Sequence, residues 1–72
     1  MLPKPLRFYD IDLPDISYGK EMPLTYRNVR AVSPEQALAS ILAIYNVRWV
    51  YEQLLSDLDD IVREVAVQEK MF

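Results

Sequence analysis

A chain of 72 residues with net charge −3, no cysteine and no histidine cannot be held together by disulfides or by a Cys/His metal site. It has room for one domain, residues 1–72, and a domain of that size buries too little surface to be more than marginally stable by itself. Its apolar fraction of 51% argues against disorder and leaves apolar material for the surface, where a patch marks an interface.

All five prolines and Gly19 lie in the first half, and none follows Pro34. The chain therefore reads as a turn-punctuated half followed by an unbroken one. Residues 6–12, Leu-Arg-Phe-Tyr-Asp-Ile-Asp, are rich in aromatic and β-branched side chains with Arg7, Tyr9 and Ile11 on one side, which predicts a strand. Leu13-Pro14-Asp15 and Tyr18-Gly19-Lys20 are turn-forming. Residues 24–32 predict a second strand, paired with the first across a connection too long for a tight turn.

Ser33-Pro34-Glu35-Gln36 is the sharpest local signal. A serine N-cap, proline at the first helical position, an acid near the positive end of the dipole and a glutamine closing a capping box predict a helix starting here. Its apolar stripe runs Ala37, Leu38, Ile41, Leu42, Tyr45, with Trp49 in extension. A second stripe, Val47, Val50, Tyr51, Leu54, Leu58, falls on the opposite side of the same straight helix. Either the chain breaks near Asn46 to give two packed helices, or one helix is apolar on both sides and shows the second to a partner. The break is the reading adopted. Helical structure is expected to about Leu58. Ile61-Val62-Arg63-Glu64-Val65-Ala66-Val67 then predicts a third strand with Ile61, Val65 and Val67 on one side, the alternative being a helix continued through Leu58, Ile61, Val62 and Val65.

The residues for common catalytic dyads are missing, and one glycine cannot build a phosphate loop. Ser17, Ser33 and Ser56 have no nucleophile context. Asp10-x-Asp12-x-x-Asp15 with Glu21 matches part of a calcium loop but lacks its central glycine, so solvated strand-end acids are the expectation, as they are for Asp57, Asp59 and Asp60. No enzyme, cofactor or metal is expected. Tyr9, Tyr18, Tyr26, Tyr45, Tyr51, Phe8, Phe72 and Trp49 offer stacking surfaces, and Arg7, Arg27 and Arg30 lie on the two strands, so an RNA-binding sheet is one reading. Core packing is the simpler use of Phe8, Tyr26 and Tyr45.

Charge argues for a different partner. Up to Ser33 the chain is net +1, and from Pro34 onward it is net −4. An acidic half suits a basic protein surface better than nucleic acid. Arg48, Trp49, Tyr51 and Glu52 stand where the two stripes change sides, and Trp, Tyr and Arg are the residues enriched at binding hot spots. With Asp57, Asp59 and Asp60 they form the expected partner-binding set. The start of the chain shows no signal-peptide core, and no apolar run nears the roughly 20 residues of a membrane span, so a cytoplasmic protein without membrane contact is expected.

The run Val29-x-Ala31-x-Ser33-x-Glu35-x-Ala37 resembles the strand-to-helix junction of many small α+β proteins, an archaeal large-subunit ribosomal protein and short phage and plasmid proteins among them. The resemblance covers about a dozen residues and implies sheet-then-helix architecture, not an activity. The expected fold is α+β, a two- or three-stranded antiparallel sheet packed against one or two helices in the order β-β-α-α-β. The expected function is stoichiometric, non-catalytic binding of a macromolecular partner, with phage- or mobile-element-encoded inhibitors of bacterial enzymes or defence complexes as the analogy. An RNA- or ribonucleoprotein-associated subunit and a self-associating homodimer are the alternatives.

Overall fold

Tyr9 and Ile11, two residues apart on an extended chain, point to the same side and are almost wholly buried. They belong to β1 (Arg7–Asp12), the central strand of an antiparallel sheet with β2 (Thr25–Ala31) on one edge and β3 (Val62–Val65) on the other. Helix α1 (Pro34–Ile44), a 3-10 turn (Arg48–Val50) and the short helices α2 (Tyr51–Leu55) and α3 (Leu58–Ile61) connect β2 to β3 and cover one face. The expected α+β class and element order are observed in this computed structural model, which describes residues 5–65.

The strands are not simply alternating. Tyr9 pairs with Val29 but Ile11 pairs with Tyr26, so β2 carries one extra residue opposite Asp10. Asn28 takes up the bulge in the left-handed region, φ 57, which Asn tolerates better than most side chains. Its N–H donates to Asp10 Oδ1 at 3.1 Å, replacing the ladder bond that the bulge removes. The phase shift lets Tyr26 and Val29, three residues apart, both pack against the core. The long connection belongs to the fold as well. Leu13 and Tyr18 are buried, the Leu13 N–H donates to Leu24 O, and the Tyr18 hydroxyl donates to Pro14 O.

Helix α1 begins as expected. Ser33 Oγ accepts from the Gln36 N–H, and Gln36 Oε1 accepts from the Val32 N–H, one residue earlier than in the standard box. It ends in a Schellman motif. Asn46, φ 58, takes the position glycine usually fills, its N–H donates to Ala43 O, and the Val47 N–H donates to Leu42 O. Lys20 reaches from the β1–β2 connection to donate to Tyr45 O at 2.8 Å, placing a cation at the negative end of a helix with no basic residue in its last turn.

This reversal explains the two apolar stripes. Val47, Val50 and Leu54 are buried in the same core as Leu38, Ile41 and Leu42. The change of side therefore reflects a change of chain direction, not an apolar face left for a partner. Trp49 does not extend the first stripe and Phe8 is not a core residue. The first is 64% exposed; the second is half-buried on the uncovered side of the sheet, paired with Arg30 and Val65.

The third strand is present but starts one residue later than expected. Helix continues to Ile61, whose N–H donates to Asp57 O at 3.0 Å, three residues past the expected end at Leu58. The strand starts at Val62, which is buried opposite Ile11, while Val65 pairs with Phe8 on the far side. Val62 therefore shares the helix side with Ile11, and Ile61, expected beside Val65 in the strand, is instead the buried last residue of α3. Residues 66 and 67 of the expected strand, like Phe72, lie outside the described residues. Among the described residues no helix is long and apolar enough to cross a membrane.

Candidate functional site

The seven residues expected to bind a partner fall into two separate places. The first is built by the turn after α1. In a 3-10 turn residues three apart eclipse one another, so burying Val47 and Val50 obliges Arg48 and Trp49 to face outward. Arg48, Trp49, half-buried Tyr51 and exposed Glu52 line a shallow groove of about 580 Å³ whose α1 wall is Ala39. Alanine has nothing beyond Cβ to fill that space. Arg48 and Glu52 form no ion pair among the described residues.

The second place lies at α3. Asp57 and Asp60 line a smaller depression of about 340 Å³ with Asp12, Pro14 and Ile61. Asp59 is exposed beside it on the same helical turn but is not part of its lining. Among the described residues Asp57, Asp59 and Asp60 have no ion-pair partner. Asp12 differs: it meets Arg27 at 3.3 Å and Arg63 at 3.6 Å.

Each of the three sheet arginines expected on an RNA-binding surface has a partner within the fold. Arg7 lies on the helix side of β1, two residues from Tyr9, and pairs with Glu64 at 2.8 Å. That hydrogen bond and the neighbouring charge raise its pKa above the ordinary arginine value. Arg27 lies between Asp10 and Asp12, and the Arg30 guanidinium lies 5.7 Å from the centre of the Phe8 ring. The network Arg27–Asp10–Asp12–Arg63 on the uncovered sheet face was not visible in the sequence, because the bulge sets which residues share that face. Asp10 and Asp12 are committed to it, while Asp15 is exposed on the connection. No group of three acidic side chains among the described residues is placed to hold a metal.

Tyr26 and Tyr45 meet beneath the connection with ring centroids 6.2 Å apart. Burial, with the neighbouring Tyr45 adding to it, pushes the Tyr26 hydroxyl up to about 12. Burial also raises Tyr18, with Asp15 adding to the effect. Both hydroxyls donate to backbone carbonyls, Tyr26 to Pro23 and Tyr18 to Pro14, and have a structural use.

No family model, curated protein or solved structure matches the chain. A functional reading therefore rests on the two patches themselves.

Proposed function

We propose that this protein is a non-catalytic binding module that covers a basic surface on a protein partner, one copy to one site, through the carboxylates of α3 and the turn before it. One observation carries the reading. From Pro34 to Ile61 the chain bears Glu35, Glu52, Asp57, Asp59 and Asp60 against the single cation Arg48, and none of these five acids has an ion pair among the described residues. The strand carboxylates Asp10, Asp12 and Glu64 are all paired. Unpaired surface charge of one sign steers a partner of the other sign. An inhibitor that masks a basic enzyme surface is the narrower form of this proposal.

The test is affinity capture with wild type and with Asp57→Asn/Asp59→Asn/Asp60→Asn, followed by mass spectrometry and a salt gradient. A basic protein captured by wild type, released by moderate salt and lost by the triple variant is the expected result. Capture that the triple variant leaves undiminished overturns the reading, as does a partner with an acidic surface.

A further inference from the structure

We propose that the groove formed by Ala39, Arg48, Trp49, Tyr51 and Glu52 is where two copies of this chain associate about a two-fold axis. This goes beyond the binding of a basic partner and uses a different patch.

A two-fold interface places one surface against itself, so that surface has to be self-complementary in both shape and charge. The groove meets both requirements. It carries one cation and one anion, Arg48 and Glu52, four residues apart and without ion partners among the described residues. Cation before anion is the weaker order for pairing within one helical segment. A two-fold axis between them brings each Arg48 to the other copy's Glu52 and satisfies four charges with two ion pairs. In shape, Trp49 projects from the turn, 64% exposed, beside a depression kept open by Ala39. A knob and a hollow on one face let each copy seat its tryptophan in the other. Trp, Tyr and Arg together are the residues that dominate interface energetics.

Charge also separates this patch from its neighbour. Arg48 and Glu52 cancel, so the groove selects neither a basic nor an acidic partner. Asp57, Asp59 and Asp60 do not line it, and a dimer built on the groove keeps both acidic edges exposed. Association would also supply burial to a 72-residue chain without cysteine or histidine.

The experiment is sedimentation of the full chain from low-micromolar to submillimolar concentration, with tryptophan emission read in parallel. Trp49 is the single tryptophan, so its emission reports the groove directly. Wild type is expected to shift from monomer to dimer as its emission moves to the blue. Arg48→Glu brings two carboxylates together at each contact, and Glu52→Arg brings two guanidinium groups together. Each variant alone is expected to associate about tenfold or more weakly. Mixing the two variants restores opposite charges at both contacts and is expected to restore association as a heterodimer. Trp49→Ala is expected to weaken wild-type association on the order of thirtyfold, the hot-spot range. Circular dichroism confirms that each variant is folded. Wild type that stays monomeric with concentration-independent emission overturns the proposal. So does undiminished association in both charge variants, or a mixture that fails to recover it. Neither charge variant alters Asp57, Asp59 or Asp60, so the affinity capture above succeeds or fails independently.

Discussion

The sheet and the helical layer of this molecule treat charge in opposite ways. On the strands, Arg7 meets Glu64, Arg27 and Arg63 bracket Asp10 and Asp12, and Arg30 lies over Phe8. On the helices and their turns, five carboxylates and Arg48 have no ion partner among the described residues. Strands bring residues distant in sequence side by side, so complementary charges pair across the ladder. Short helices separated by turns project their acids into solvent with no neighbouring strand to answer them. Charge on the sheet is therefore largely paired within the fold, and charge on the helical layer has no ion partner among the described residues.

The comparison first requires that the two layers stay joined. Leu42, fully buried on α1, does this, and Leu42→Ala is expected to lower stability by about 2–5 kcal/mol. Ile44, two residues along the same helix and 71% exposed, should tolerate Ser within about 0.5 kcal/mol. Urea denaturation of both variants measures the contrast, and similar losses would mean that α1 is seated on another face.

Removing a sheet carboxylate comes next. Asp10→Ala takes away both the acceptor for the Asn28 N–H and the carboxylate beside Arg27, and is expected to cost about 1.5–3 kcal/mol. Asp10→Asn keeps an acceptor for the bulge and should recover part of that loss. If the two variants are equally destabilised, the charge matters and the bulge bond does not.

The alkaline limit tests the contact between the layers at Tyr26. Its hydroxyl titrates near 12 when folded and near 10 in an unfolded chain. Below pH 10 both states hold the proton, and stability does not depend on this group. Above pH 10 the unfolded state loses it first, so stability falls as pH rises towards 12. Tyr26→Phe is expected to flatten that fall in thermal melts, and an unchanged slope would place its cause elsewhere, Tyr18 being the next group to examine.

The smallest effect is expected where the helical layer is most charged. Asp57→Asn, Asp59→Asn and Asp60→Asn should each change stability by no more than about 0.5 kcal/mol. A larger loss in any of them would show that its carboxylate holds the fold together, and would move it to the sheet's side of the comparison.

How much of this was legible in the sequence depends on how local the cause is. The start of α1 was legible because Ser33, Pro34 and Gln36 act within one turn. Its end near Asn46 was legible as a conflict between two apolar stripes, but the Schellman geometry that makes the turn, with Asn46 in glycine's usual place, was not, because asparagine also occurs within helices and loops. The third strand was legible from its β-branched run, but its first residue was not, because Ile61 closes the last turn of α3 through its bond to Asp57 O. The candidate residues were named together, yet nothing in their order along the chain separates the mixed-charge groove at Trp49 from the acidic edge at Asp57–Asp60.

The α+β class, the order of elements, the α1 start and the contrast between a mixed-charge first half and an acidic second half follow from the residues alone. Each follows from periodicity, capping or composition, which act over a few residues or need only counting. Tertiary structure alone decided which charges are neutralised, which side of each strand is covered and that Trp49 is exposed. These depend on a bulge at Asn28, a Schellman turn at Asn46 and the passage from helix to strand at Val62. Each involves one residue or one turn, too little to alter a local pattern and enough to decide which side chains reach the core.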